Sequence, residues 1–205
     1  DAQRLLTGVW GNPPGAAEGV IGAIIPSDVS VLAAEGWAAI ITYESDGHVA
    51  DSDASTIDYT SMLKDMQSEV ATSSEERVKG GYEAISLVGW AQAPSYDAKD
   101  HKLYWAKHLQ FGPDTHTLNY AIRALGRTGV LQVNVVADMK QLPDINAKMP
   151  SLLSMISFND GNRYADYKEG SDPLAAYGLA ALVAGGVAAK AGLLKGLLVF
   201  LAAAW

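Results

Sequence analysis

The sequence contains no cysteine, which excludes disulfide bonds and thiolate metal sites. Basic residues are scarce, with 15 Lys and Arg against 23 Asp and Glu and a net charge of −8. Because no basic stripe occurs along the chain, a nucleic-acid partner is not predicted. GxSxG, HExxH, P-loop and GxGxxG motifs are also missing. The sequence therefore predicts no catalytic residue and no cofactor.

Acidic residues are unevenly distributed. No Asp or Glu follows Asp172, so the last thirty or so residues form an apolar segment without negative charge. A chain of 205 residues is long enough for one domain with a good core and an appendage. We therefore expect a domain over residues 1–170, then a linker and an apolar helix over residues 171–205.

Residues 117–138 have the pattern of a β-hairpin. Leu118, Tyr120 and Ile122 alternate with polar or small residues, and a second alternating run follows from residue 131. Gly126 and Gly129 bracket two polar residues between the runs, which is typical of a turn that needs positive φ.

Further alternating segments precede this hairpin at residues 82–93 and 101–111. With short turns between them, residues 82–137 predict four consecutive antiparallel strands. Residues 20–25 and 37–43 read as two additional short strands. The fold class predicted is α+β, an antiparallel β-meander covered by helices and followed by a C-terminal membrane-associated helix.

Two amphipathic helices are predicted. The first covers residues 58–80, with Met62, Met66, Val70 and Val78 on one face, an N-cap at its start and glycine at its end. The second covers residues 144–156, and Pro150 is expected to kink or split it.

Three carboxylates, Asp46, Asp51 and Asp53, occupy one loop. Their spacing lacks the EF-hand order and the final bidentate Glu, so a solvated acidic loop is favoured over a calcium site. The polar, aromatic residues 162–167 lie in the predicted linker. We expect them to dock on the domain, with lipid headgroups as the alternative.

The four histidines offer one candidate polar site. His101 and His108 lie on one predicted strand but point to opposite faces, so they cannot share a metal ion. His116 precedes the next strand and approaches His108 across the hairpin. His108, Asp114 and His116 therefore form a possible polar site, although no metal is predicted.

The C-terminal segment, residues 174–205, is apolar apart from Lys190 and Lys195. A buried helix of a soluble domain would explain it, but membrane embedding is favoured because one small sheet needs no cover this long. Small residues also recur every four positions, as they do where helices approach closely in lipid. The predicted oligomer contacts are Ala181, Gly185, Ala188, Ala189, Gly192 and Gly196.

Several motifs carry a family resemblance. They are WGNPPG at 10–15, HKLYWAK at 101–107, TLNY at 117–120, LP at 142–143, NRYAD at 162–166 and AAYG at 175–178. Over nearly its whole length the chain resembles the bacterial domain of unknown function 2167, the predicted membrane-anchored proteins. The resemblance implies a secretion signal, an extracytoplasmic domain and a C-terminal anchor. Compared with that pattern, we expect the given sequence to lack the N-terminal signal and first segment and to end inside the anchor.

We therefore expect a scaffold or binding module that self-associates, with its domain outside the cytoplasm and its anchor in the bacterial inner membrane. The expected partners are membrane lipid and either further copies of the chain or another membrane protein. Two alternatives stay open. One is a hydrolase using histidine and carboxylate groups of residues 101–116, and the other is an accessory subunit of a membrane pore or transport complex.

Overall fold

A computed structural model of the chain describes residues 1–33 and 36–185. Six strands form an antiparallel sheet in the order β1-β2-β7-β6-β5-β4, while β3 and β8 form a separate parallel pair. The strands are β1 (Val20–Ile24), β2 (Ala39–Glu44), β3 (His48–Ala50), β4 (Ile85–Asp97), β5 (Lys102–Phe111), β6 (Thr115–Leu125), β7 (Val130–Asp138) and β8 (Leu174–Gly178).

The helices are mostly short. They are α1 (Ala2–Arg4), which continues as the π-helix Leu5–Val9, then α2 (Tyr59–Lys79), α3 (Leu142–Ser154) and α4 (Leu179–Ala184), with 3₁₀ turns at Pro14–Ala17, Met139–Gln141 and Tyr164–Asp166. The α+β class and the antiparallel meander of residues 82–137 are confirmed, because β4 to β7 pair consecutively.

Both faces of the sheet are covered. On the face that we call the α3 face, α3 buries Ile145, Met149 and Leu152 against the sheet. Lys102 also reaches this helix, where its Nζ donates to the carbonyl of Leu153 at 2.8 Å. The core residues that the strands contribute to this face are Ala39, Ala106, Leu118, Tyr120, Ile122, Ala124, Val133, Val135 and Ala137.

On the opposite face, two apolar clusters lie side by side. One contains Leu109 and Phe111 and packs against Met66 of α2. The other contains Leu103 and Trp105 and packs against residues of β3, β8 and α4. Trp90 and Met62 border both clusters, and the facing residues Lys107 of β5 and Asn119 of β6 lie between them.

The predicted helix over residues 58–80 is confirmed almost to the residue. Asp58 Oδ1 accepts the backbone N–H groups of Thr60 and Ser61, which satisfies two donors that the first helical turn leaves free. Met66 is buried and packs on the sheet. Val78 is 53% exposed, so its predicted place on the buried face is wrong.

Helix α3 contains Pro150 but continues unbroken for 13 residues, so the predicted split at this proline does not occur. It begins two residues earlier than predicted, with Pro143 in its first turn. A proline in that turn is favourable, since the N–H that it lacks has no partner within the helix.

The hairpin glycines are required for a reason other than the predicted one. Neither Gly126 nor Gly129 has positive φ. Instead, a Cβ on Gly129 would lie 2.3 Å from the carbonyl oxygen of Glu44 and 2.4 Å from the hydroxyl of Tyr43. A Cβ on Gly126 would lie 2.8 Å from the ring of Phe158. Close packing, rather than a left-handed turn, selects glycine here.

The predicted C-terminal helix does not begin at residue 174. Residues 174–178 form β8, which pairs in parallel with β3, and the helix that follows ends at Ala184. Leu179, Leu182 and Val183 are buried in the domain. Among the described residues, no helix is both long and apolar enough to cross a membrane. The rest of the predicted anchor, residues 186–205, lies outside the described residues.

The segment predicted as a linker packs against the domain. Gly126 forms a β-bridge with Arg163, and the N–H of Arg127 donates to the carbonyl of Asn162. The proposed division of the chain after residue 170 stays a prediction.

Replacing Gly129 with alanine is expected to destabilise the domain by about 1–3 kcal/mol, the usual cost of overpacking a filled site. Gly89→Ala is the matched control, because a Cβ on this strand glycine meets no atom within 4 Å. Urea unfolding measures the free energy of unfolding of both variants. Equal loss of stability in the two variants would contradict the packing argument.

Candidate functional site

The predicted approach of His108 to His116 occurs. Strands β5 and β6 pair His108 with Leu118 and Gln110 with His116, so the two rings are diagonal neighbours on one face. Their Nε2 and Nδ1 atoms are 2.7 Å apart. Burial and the neighbouring His116 lower the pKa of His108. A neutral pair in this geometry shares one hydrogen bond, in which one ring donates and the other accepts.

Asp114 does not complete a metal site with this pair. Within residues 1–33 and 36–185, no three or more His, Asp or Glu residues are placed so that they could hold a metal ion. Gln110 of β5 donates a hydrogen bond from its side-chain amide to the carbonyl of Pro113. The site therefore consists of the two imidazole rings of His108 and His116. Any catalytic role for these residues stays a prediction.

The other two histidines lie in a second cluster that the sequence did not reveal. The ring of His48 stacks on Tyr167 at 4.0 Å and lies 4.3 Å from Tyr164. Tyr164 in turn stacks on His101 at 4.0 Å. Residues 162–167 therefore dock on the domain, as predicted, through aromatic stacking on two histidines. His101 has φ of +50°, a left-handed conformation that is uncommon outside glycine.

Hydrogen bonds connect this stack to the acidic loop. The Tyr96 hydroxyl donates to Asp51 Oδ2 at 2.7 Å and lies 3.0 Å from Nδ1 of His101. Burial raises the pKa of Asp51, but hydrogen bonds from Tyr96 and Tyr164 and the nearby His101 outweigh this effect and lower it. Burial and the adjacent Asp51 raise the pKa values of both tyrosines. Asp51 is thus held as a carboxylate by neutral phenol donors.

The other two carboxylates of the loop bind the C-terminal segment, so the interpretation of a freely solvated loop is wrong. Asp46 accepts the hydroxyl of Tyr177 at 3.1 Å. Asp53 accepts the N–H groups of Leu179 and Ala180, at the start of α4. Each aspartate therefore has a separate structural partner.

An ion pair joins the β6–β7 turn to the residues just before β8. Arg127, in the β6–β7 turn, donates from Nε and Nη2 to both oxygens of Asp172, at 2.7 and 2.8 Å. This bidentate geometry is the strongest form of the pair. The hydrogen bond from Arg127 lowers the pKa of Asp172 to about 2. The residues just before β8 are thereby fixed to the sheet.

The predicted oligomer contacts divide between described and undescribed residues. Ala181 lies in α4, and Gly185 follows its end with φ of +82°. Ala188, Ala189, Gly192 and Gly196 lie outside the described residues. The contacts themselves stay a prediction.

The family model described as "Protein of unknown function (DUF2167)" matches residues 1–205, the whole chain. The chain belongs to this family. The resemblance carried by the sequence motifs is thus confirmed. No curated protein matches the chain. Three DUF2167 motifs of this chain lie in the region just described, since HKLYWAK supplies His101, NRYAD supplies Tyr164, and AAYG forms most of β8.

The acid sensitivity of this DUF2167 chain is expected to depend on Asp172. Because the pKa of Asp172 is about 2 in the folded state and an unfolded Asp titrates near 3.9, the ion pair stabilises the fold above about pH 4. Its contribution is lost as the pH falls to about 2. Asp172→Asn should therefore lower the unfolding midpoint at pH 5–7, and the difference from the native chain should shrink below pH 4.

The matched control is Asp160→Asn, since this carboxylate lies in the same segment but is 87% exposed in its ion pair with Arg163. Exposed pairs contribute little, so its midpoint should follow the native chain. An Asp172→Asn effect as large at pH 2 as at pH 7 would rule out the ion pair as the cause.

Proposed function

We propose that this protein is a membrane-anchored binding module. Its domain lies outside the cytoplasm of a bacterium, its C-terminal segment is held in the inner membrane, and copies of the chain associate through that segment. Membrane lipid and further copies of the chain are the partners, with another membrane protein as the alternative to self-association.

The observation that carries the proposal is how the domain holds the start of the apolar segment. β8 pairs with β3, Asp53 caps the first N–H groups of α4, and Leu182 and Val183 are buried. The chain therefore reaches Gly185 at a fixed point on a folded body. The next twenty residues contain two lysines, no acid and otherwise only apolar residues and glycine.

This arrangement suits an anchor because the attachment has little freedom. A flexible tether allows a domain to move far from its anchor, whereas a fixed exit holds it close to the bilayer surface. Lys190 and Lys195 suit the same position, since lysine side chains extend to the headgroup layer while their stems remain among apolar groups.

The hydrolase alternative has weaker support. His108 and His116 meet, but they are hydrogen-bonded to each other, and Asp114 completes no metal group with them among the described residues. The pore alternative depends on Lys190 and Lys195, which lie outside the described residues.

The membrane proposal predicts that Leu197→Asp combined with Leu198→Asp releases the protein from native membranes. An aspartate at the centre of a membrane helix costs roughly 2.5–3.5 kcal/mol, so two of them should outweigh a short apolar anchor. Fractionation after alkaline carbonate extraction measures the membrane-bound share, which should be high for the native chain and low for the variant.

A double variant of the domain, Ile21→Asp with Leu32→Asp, is the matched control. Both side chains are already exposed, at 66% and 80%, so the variant adds the same charge without touching the anchor. The anchor is disproved if the native chain washes off in carbonate, or if the tail variant stays with the membrane as firmly as the control.

Self-association is tested with Gly192→Leu and Gly196→Leu together. If helices approach closely along this row, two leucines should separate them and lower the native mass measured in mild detergent. Gly185 is left unchanged because leucine would be strained at its φ of +82° and would disturb the domain. Ala202→Leu, which places a leucine outside the row, should preserve the native mass. An unchanged mass in the double glycine variant would contradict assembly through the tail.

A further inference from the structure

A row of four donor side chains crosses the middle of the sheet on the face opposite α3. Lys107 of β5 is directly across from Asn119 of β6, and the next cross-strand positions on this face are Trp105 with Ala121 and Leu103 with Arg123. Directly opposed residues have Cβ atoms about 5 Å apart. The guanidinium of Arg123 lies 5.2 Å from the ring of Trp105. Lys107 is therefore beside Asn119, Arg123 is beside Trp105, and the charge of Arg123 is near enough to lower the pKa of Lys107.

Two of these donors are buried without an acceptor. Asn119 is 5% exposed and Trp105 is 2% exposed. In the described part of the chain, neither Nδ2 of Asn119 nor Nε1 of Trp105 has a hydrogen-bond partner. A buried donor left unpaired costs free energy, so native proteins seldom contain two on neighbouring strands.

The two cations of the row also lack counter-ions. Among residues 1–33 and 36–185, no carboxylate lies within 4.0 Å of Lys107 or Arg123, whereas Lys148 on the other side of the sheet contacts both Asp28 and Asp144. Arg123 donates from Nη1 to the carbonyl of Ile122 and to Oδ1 of Asn134. Its other N–H groups have no acceptor in the described chain.

Two carboxylates act on the row from farther away. Glu69, on the exposed side of α2, raises the pKa of Lys107, and Glu44, at the end of β2, raises that of Arg123. Burial outweighs both, and Arg123 also repels Lys107, so the pKa of Lys107 falls to about 8 and that of Arg123 to about 10. The site holds an excess of donors that these distant acids do not satisfy.

We propose that Lys107, Asn119, Trp105 and Arg123 form a binding site for the phosphate group of a small molecule or a lipid headgroup. Such an oxyanion accepts hydrogen bonds from donors of this kind. The planar fork of Arg123 matches two phosphate oxygens, and the ammonium of Lys107 supplies a compact positive charge. Phosphate presents more terminal oxygens than a carboxylate, which suits a row of four donors.

This inference rests on the proposed binding role, since it names the ligand of the module. It does not depend on the anchor or on self-association. A protein that washes off membranes but still binds phosphate would disprove the anchor alone, and a membrane-bound protein without phosphate binding would disprove this site alone.

The test is isothermal titration of the detergent-solubilised full chain with inorganic phosphate, and with a short-chain phosphatidic acid as the lipid probe. Saturable binding of either probe is expected. Lys107→Met and Arg123→Gln should each weaken it by roughly tenfold or more, because each removes a charged hydrogen bond. Binding of phosphate alone would identify a soluble source, and binding of the lipid alone a headgroup.

Asn119→Leu gives a readout that loss of folding cannot imitate. It replaces an unpaired buried amide with an apolar side chain of similar size, so the ligand-free chain should unfold at the same temperature or higher. Its phosphate affinity should nevertheless fall severalfold. Lys148→Met, which removes a lysine that already has two acidic partners, is the matched control and should bind phosphate as the native chain does.

Two results would overturn the proposal. One is the absence of saturable binding for both probes in the native chain. The other is binding that Lys107→Met, Arg123→Gln and Asn119→Leu all leave unchanged, which would place the anion elsewhere.

Discussion

Strand β6 is covered on both faces, and the rest of the structure depends on its register. Residues 117–122 are all buried, with Leu118, Tyr120 and Ile122 against the α3 face and Thr117, Asn119 and Ala121 on the other. Successive side chains alternate between faces, so a slip of one residue would exchange the two sets. It would place an amide against the apolar surface of α3 and direct three large apolar side chains into the polar row. The strand therefore has one pairing with β5 and β7 that satisfies both faces.

The same alternation explains what the sequence predicted well. Four strands with short turns were recognisable because their apolar positions repeat every two residues. The contact of His108 with His116 followed from the hairpin alone. Alternation marks the second face of a strand only as more polar, and it does not show whether water or another element covers that face. In the sequence, Asn119 is therefore only one of the polar or small residues that alternate with Leu118, Tyr120 and Ile122.

The C-terminal region was harder to predict for a different reason. A short strand of Leu and Ala followed by an apolar helical turn resembles the beginning of an anchor when only neighbouring residues are considered. Its actual partners are distant in sequence, since β8 pairs with β3 and α4 is capped by Asp53, 126 residues before Leu179. No local pattern encodes such a pairing. The three aspartates of one loop were a visible signal, but they indicated a metal site or solvent rather than a segment to be bound.

Charge is distributed over the sheet in a way that packing alone does not explain. Elsewhere in the domain, cations are paired: Arg127 of the β6–β7 turn binds Asp172, and Lys148 of α3 contacts both Asp28 and Asp144. On the face opposite α3, Lys107, which lies between the two apolar clusters, and Arg123, which lies beside Trp105, have no carboxylate within ion-pair distance in the described chain, although the protein carries eight more negative than positive charges. Apolar side chains at these two positions would carry a lower desolvation cost. Two cations without a carboxylate partner in the described fold are accounted for by the anion that we propose binds from outside it.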